Sequence, residues 1–186
     1  MSPDGAAAPL GGAFTETARL DAPAARVFAA FRDEPVRRRW FRQPGDRARQ
    51  TYVLDFRVGG REIATTVFAM PDREEHVEYA STFFDLVPDE RIVLSYSVRI
   101  DDVLRWAALR TIEFSADGAG TQLEWTEQYR FFALTEIPAH DVAHLEGSTR
   151  LQLNGLAAVL ADTAPAASGK ILHRMPSQPP APSGLS

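Results

Sequence analysis

Leu104-Arg105-Trp106-Ala107-Ala108-Leu109-Arg110-Thr111-Ile112-Glu113-Phe114 and Leu123-Glu124-Trp125-Thr126-Glu127-Gln128-Tyr129-Arg130-Phe131 read as the two arms of one antiparallel hairpin. The first arm carries its apolar residues mainly at even positions and the second at odd positions, the alternation of half-buried strands. Between them, Asp117-Gly118-Ala119-Gly120 supplies the small, φ-permissive residues of a short hairpin loop. With Ala116 facing Thr121, Phe114 faces Leu123, Ile112 faces Trp125, Ala108 faces Tyr129 and Trp106 faces Phe131. A slip of one residue would turn one arm's apolar set to the wrong side, so parity selects this register. The same register sets Arg110 opposite Glu127 on the apolar face, the most informative chemistry in the chain.

Composition narrows the class. The 186 residues, 45% hydrophobic and 24% charged, suit one soluble domain with tails. No apolar run approaches the roughly 20 residues of a membrane span, and the N-terminus shows no basic segment followed by an apolar one. With no cysteine there is neither a disulfide framework nor thiolate chemistry, and a cytoplasmic location is the default expectation. The net charge of −5 argues against nucleic acid as a partner. Arg37-Arg38-Arg39, Arg42, Arg47 and Arg49 cluster, but they read as a solvated helix face rather than a phosphate site.

Outward from the hairpin, residues 1–12 are small and unpatterned and are expected to be a disordered tail. Phe14 to Leu20 alternates as a first strand. Pro23 then opens a short helix bearing Val27, Phe28 and Phe31, and Pro35 opens another bearing Val36, Trp40 and Phe41. Period two follows: Tyr52–Arg57, a turn or bulge at Gly59-Gly60, Arg61–Ala69, a loop over 70–75, Val77–Leu86, a turn at Val87–Glu90, and Ile92–Ile100. A tight turn at Asp101-Asp102 leads into the hairpin. After Phe132, a loop with Pro138 leads to a long helix from Asp141 to Ala161. Its apolar face carries Val142, Leu145, Thr149, Leu153, Leu156, Val159 and Leu160, with interruptions expected at Gly147 and Gly155. Residues 163–186 are rich in Ala, Pro, Ser and Gly and are expected to be disordered, leaving 13–162 as the domain. Six consecutive strands and one long helix predict an α+β fold, a curved antiparallel sheet wrapped around that helix with a cavity between.

In that order, Trp40, Asp55-Phe56-Arg57-Val58-Gly59-Gly60, Leu86-Val87-Pro88-Asp89-Glu90-Arg91-Ile92-Val93, Gly120-Thr121-Gln122-Leu123 and Glu146-Gly147 resemble the activator-of-heat-shock-protein-ATPase homologue group of the START-like (SRPBCC) superfamily. The resemblance covers residues 14–161. It implies a helix-grip fold with an elongated apolar cavity. Members of the superfamily mostly bind hydrophobic or aromatic small molecules. Some catalyse cyclisation, dehydration or hydrolysis, as polyketide cyclases do, and a few act on a chaperone. No catalytic motif is common to the group, so none is transferred. The additional N-terminal domain of a full-length eukaryotic co-chaperone is not seen in this sequence.

The extended register places Ile100 opposite Leu104, Tyr96 opposite Ala108 and Ser81 opposite Tyr96, with Tyr79 and Phe83 on the same face. Tyr96, Ser81, Arg110 and Glu127 then form a polar cluster in an aromatic and aliphatic cavity, the arrangement that orients an apolar ligand. Trp40, Trp106, Trp125 and Tyr129 complete the candidate ligand-binding set, as core residues with a face free for stacking. In a catalytic version Glu127 is the general acid or base, Arg110 stabilises a developing enolate or phenolate, and Tyr96 assists. Taken as structure alone, Arg110 and Glu127 are a buried ion pair. His140 and His144 have the i, i+4 spacing of a zinc-protease helix, but Asp141 stands where that motif has Glu and no third ligand is evident, so no metal is expected. Asp141 is read instead as a first-turn anion. The expected partner is a small hydrophobic molecule, with no cofactor, and room remains for a homodimer or a chaperone.

Overall fold

A computed structural model describes residues 10–41 and 43–162. Strand β1 (Gly11–Leu20) is followed by the short helices α1 (Ala24–Arg32) and α2 (Glu34–Trp40) and a single 3₁₀ turn at Arg47–Arg49. Six strands come next: β2 (Thr51–Leu54), β3 (Arg61–Ala69), β4 (Glu74–Val87), β5 (Arg91–Ile100), β6 (Val103–Asp117) and β7 (Gly120–Phe131). Helix α3 (Pro138–Asp162) closes the described chain. The strands form one antiparallel sheet in the order β1-β7-β6-β5-β4-β3-β2. Strands β2 to β7 are therefore a meander, and β1 joins the last strand at the far edge. This is the α+β helix-grip architecture.

The opening hairpin has the register its parity demands, from Ala116 opposite Thr121 to Trp106 opposite Phe131, with Arg110 opposite Glu127. Gly118 takes φ +60° in the loop, a left-handed conformation in which a glycine side step costs nothing. Tyr96 faces Ala108 and Ser81 faces Tyr96, also as expected. The path to those pairs differs, however. Ile100 pairs with Val103 rather than Leu104, because Asp101 and Asp102 alone make the turn, both with positive φ. Two such residues suit a tight hairpin that follows strand twist. The resulting one-residue offset is absorbed between Val98–Arg99 and Leu104–Trp106, where Arg105 is the extra residue of a bulge. A second bulge at Phe84, between Phe83 and Asp85, does the same for β4.

Several boundaries depart from the sequence-based reading, among them the start of β4 at Glu74, inside the loop expected over 70–75. Gly11 and Gly12, expected in the tail, begin β1 opposite Arg130 and Tyr129. The Tyr129 ring lies over this segment, and a Cβ on Gly12 would meet its hydroxyl at 2.8 Å. The strand expected over Tyr52–Arg57 stops at Leu54, because Asp55–Gly60 folds into a turn held by Gly60 N–H donating to Arg57 O at 2.8 Å. The long helix starts at Pro138 and runs unbroken through Gly147 and Gly155. At Gly155 the absent side chain lets α3 ride close to α2, where a Cβ would already touch Trp40 Cβ and O at 3.4 Å.

The core lies between the concave face of the sheet and the three helices. Its inward set alternates along each strand: Leu94, Tyr96 and Val98 on β5, Ala108, Arg110 and Ile112 on β6, Leu123, Trp125 and Glu127 on β7. From the helices, Val27, Phe28 and Phe31 of α1, Trp40 of α2, and Leu145, Leu153, Leu156, Val159 and Leu160 of α3 meet that face. Most of the expected apolar stripe of α3 is buried, Val142 only partly. No helix among the described residues is long and apolar enough to cross a membrane.

Candidate functional site

Strand alternation carries two charged side chains into the core along with their apolar neighbours. Arg110, between Ala108 and Ile112, and Glu127, two residues from Trp125, are at most 2% exposed. Arg110 Nε donates to Glu127 Oε1 at 2.6 Å, and Trp125 Nε1 donates to the same oxygen at 2.8 Å. The guanidinium lies over rings from both flanking strands, 4.4 Å from the centroids of Tyr96 on β5 and Trp125 on β7. Burial by itself would lower the arginine pKa. The Glu127 charge, with smaller help from Tyr79 and Tyr96, outweighs it and raises the pKa, so Arg110 remains a cation. Burial also raises the phenols against the opposing pull of Arg110: Tyr79 to about 12, Tyr96 in the same direction. Both stay neutral hydroxyls over the physiological range.

A cavity of about 330 Å³ opens between this part of the sheet and α3. Phe41, Val77, Tyr79, Tyr96, Val98, Trp106, Arg110 and Leu145 line it, with Glu75, His144, Ser148 and Gln152 as polar additions. Its volume is at the small end of the roughly 300–1,000 Å³ usual for small-molecule sites. Five of its residues hold a buried polar atom without a hydrogen-bond partner: Tyr79 Oη, Tyr96 Oη, Trp106 Nε1, Arg110 NH1 and Gln152 Oε1. Trp106 and Ser81 stand near the Tyr96 and Tyr79 hydroxyls respectively, but neither approach has hydrogen-bond geometry.

Of the residues singled out in the sequence, Tyr79, Tyr96, Trp106 and Arg110 line this cavity. Tyr79 and Tyr96 stack at 5.3 Å. Glu127 and Trp125 sit behind Arg110, holding it rather than facing the cavity. Ser81 is buried beside Tyr96 in the register, its hydroxyl directed to the Glu62 carbonyl at 3.4 Å. Phe83 packs on Phe56, and Tyr129 lies toward the β1 edge against Phe14 and Phe131. Trp40 is anchored elsewhere, donating to Ala30 O at 2.9 Å and packing on Phe31. The sequence reading sets the cavity against the long helix but names none of its residues in the site, although Leu145, Ser148 and Gln152 recur at helical spacing on one face.

A second buried ion pair was also missed. Arg37 grips Glu62 with Nε–Oε1 at 2.7 Å and NH2–Oε2 at 2.8 Å, and Tyr52 Oη donates to Oε1 as well. The Arg37 guanidinium lies 4.2 Å from the Trp40 ring centroid and 4.3 Å from that of Phe41. This corrects the reading of Arg37-Arg38-Arg39 as one solvated face: Arg38 and Arg39 are exposed, whereas Arg37 is 3% exposed. Phe41 joins the two sites, since its ring also packs on Tyr79 at 4.9 Å.

At the start of α3, Asp141 accepts from Thr135 N–H at 2.8 Å and from its hydroxyl at 2.9 Å, fastening the preceding loop. Among the described residues no group of three or more His, Cys, Asp or Glu is placed to hold a metal ion.

A curved antiparallel sheet gripping a long C-terminal helix is the fold of SRPBCC-type proteins and is consistent with a cavity of their kind. The chain belongs to the family described as Activator of Hsp90 ATPase homolog 1-like protein, whose model matches residues 21–161. Among solved structures it is similar to the Mll3558 protein of Rhizobium loti, at 36% identity over 82% of this chain and 99% of that one, TM-score 0.70. An uncharacterised protein of Rhizobium leguminosarum is 29% identical over 83% of this chain and 97% of that one, TM-score 0.71. A protein of Arthrobacter aurescens, 18% identical over 87% and 92% of the two chains with TM-score 0.61, shares the fold. No curated protein matches the chain in sequence.

Proposed function

We propose that this protein binds a small, largely apolar molecule in the cavity between α3 and the sheet. One observation carries the reading: an aromatic and aliphatic cavity whose lining includes several buried polar groups without partners. Leaving a buried donor or acceptor unsatisfied costs roughly 1–3 kcal/mol, a cost that a bound ligand with matching groups relieves. Native mass spectrometry of the purified protein, followed by mass analysis of what denaturation releases, tests it. The expected result is a co-purified apolar molecule, lost in Arg110→Ala. A protein that carries nothing and ignores a panel of aromatic and lipid compounds would overturn the proposal.

Family membership favours a second reading, and does so more directly than it favours ligand binding, because the family's description names a chaperone ATPase and no ligand. In this reading the chain is a partner that stimulates a heat-shock ATPase. The rate of ATP hydrolysis by such a chaperone, with and without the protein, tests it. A cavity variant such as Trp106→Phe should leave any stimulation intact if an outer surface makes the contact.

A catalytic use of the same cluster would assign proton transfer to Glu127. Because that carboxylate reaches the cavity only through Arg110, its first expected effect is on the position of the guanidinium. Binding that survives Glu127→Gln while product formation is lost would support an enzyme.

A further inference from the structure

The inner wall of the cavity states what kind of oxygen it accepts. This inference rests on the ligand-binding reading and narrows it to a chemical class. Four of the five unpartnered groups are donors or are able to donate: the Tyr79 and Tyr96 hydroxyls, the Trp106 indole N–H and Arg110 NH1. Indole and guanidinium nitrogens can do nothing else. The fifth, Gln152 Oε1, is an acceptor contributed by α3. The wall therefore has an excess of donors and asks for an acceptor oxygen, with a hydroxyl or N–H elsewhere on the ligand.

Charge bookkeeping decides between an anion and a neutral oxygen. Arg110 is already matched by Glu127 at 2.6 Å. The next buried arginine, Arg37, is matched by Glu62. Glu75, the one carboxylate lining the cavity, is matched by Arg73 at 2.7 Å. His144, at the α3 side, is exposed. A carboxylate entering here would be a third charge without a counter-charge, buried among Tyr79, Tyr96 and Val98, and desolvation of an uncompensated ion is the costliest event such a site can host. A neutral carbonyl takes the same hydrogen bonds at no such cost.

We propose that the cavity selects an uncharged, carbonyl-bearing apolar molecule, a ketone, quinone or ester, and discriminates against the corresponding carboxylate. The donor atoms are closed to water in this conformation, so the carbonyl reaches them by side-chain adjustment at the inner wall.

Three probes of similar shape separate the possibilities: 2-acetonaphthone, 2-naphthoate and 2-ethylnaphthalene, titrated calorimetrically into the full-length protein. The ketone is expected to bind about tenfold more tightly than either of the others, the ratio one or two rescued hydrogen bonds supply. The infrared carbonyl stretch of the bound ketone should move to lower frequency than in an apolar solvent. That shift should shrink in Tyr96→Phe, which keeps the ring shape and removes only the hydroxyl, and in Trp106→Phe, which removes the indole N–H together with part of the ring. Tightest binding by naphthoate overturns the charge argument. Equal binding of all three, with an unshifted carbonyl, overturns the anchoring while leaving an apolar ligand site in place. Binding of none of them, or of any other apolar compound, removes the ligand-binding reading itself.

Discussion

Arg37 and Glu62 are joined by two parallel hydrogen bonds, at 2.7 and 2.8 Å, in a setting where neither is more than 3% exposed. The fork ties α2 to β3 and orients Trp40 and Phe41 on its cation. Removing one partner leaves the other charge buried alone, which costs roughly 3–5 kcal/mol. Arg37→Met and Glu62→Met are each expected to lose about that much in urea unfolding. The double variant, with no stranded charge, should be more stable than either single one. Single losses below about 1 kcal/mol would mean that water reaches the pair.

The hairpin was legible because two signals agreed, the parity of Trp106–Phe114 against Leu123–Phe131 and the glycine-bearing loop between them. Arg110 and Glu127 came with it, since register places every side chain at once. Arg37 was hidden by its neighbours: three consecutive arginines look like a solvated surface, yet Arg37, Trp40 and Phe41 share a helix face at i, i+3 and i+4. Glu62 was hidden by inversion. On β3 the inward residues are Glu62, Ala64 and Thr66, while the more apolar Ile63 and Val67 face outward. Hydrophobic alternation points to the wrong face there, and only the pairing of Glu62 with Ser81 and Ala64 with Tyr79 corrects it. The cavity was least legible, because its α3 side depends on how the helix docks across the sheet. Local pattern does not encode that.

All four tyrosines of the chain, Tyr52, Tyr79, Tyr96 and Tyr129, have their pKa raised above the ordinary 10.0, burial being the largest cause in each. In the unfolded chain they ionise near 10, so above that pH the unfolded state binds fewer protons than the folded one. Stability is then fully present below about pH 10 and is lost as pH rises through the folded values, about 12 for Tyr79. The two buried phenols, Tyr79 and Tyr96, should contribute no phenolate absorbance near pH 10 while the fold holds, then ionise in a steep rise coinciding with loss of tertiary circular dichroism. Normal titration of Tyr79 or Tyr96 in the native protein, identified by the Phe variant that removes it, would contradict their burial.

Gly147 is exposed in the middle of α3, and a Cβ built there meets nothing within 4 Å. Nothing in the packing requires glycine, so only its helix-breaking tendency remains. Gly147→Ala should raise unfolding stability by about 1 kcal/mol. The gain should appear without any change in the binding of 2-acetonaphthone, since Gly147 does not line the cavity. No gain would mean that the helix at Gly147 departs from the regular geometry in which alanine is favoured.

The Arg110 site makes two demands that lysine separates. One is charge, to answer Glu127; the other is a flat cation with an Nε–H, to lie over Tyr96 and Trp125 while donating to Oε1. Arg110→Lys preserves the first and loses the second. Desolvated cation–π contacts are worth about 2 kcal/mol, so Arg110→Lys should destabilise by roughly that amount in denaturant unfolding. Arg110→Ala, which also strands the buried Glu127 carboxylate, should cost roughly 3–5 kcal/mol. If the two substitutions cost the same, the charge is irrelevant and shape alone holds the cluster. If lysine costs nothing, the rings merely crowd the cation, and the alignment of Arg110 NH1 toward a ligand has to come from Glu127 alone.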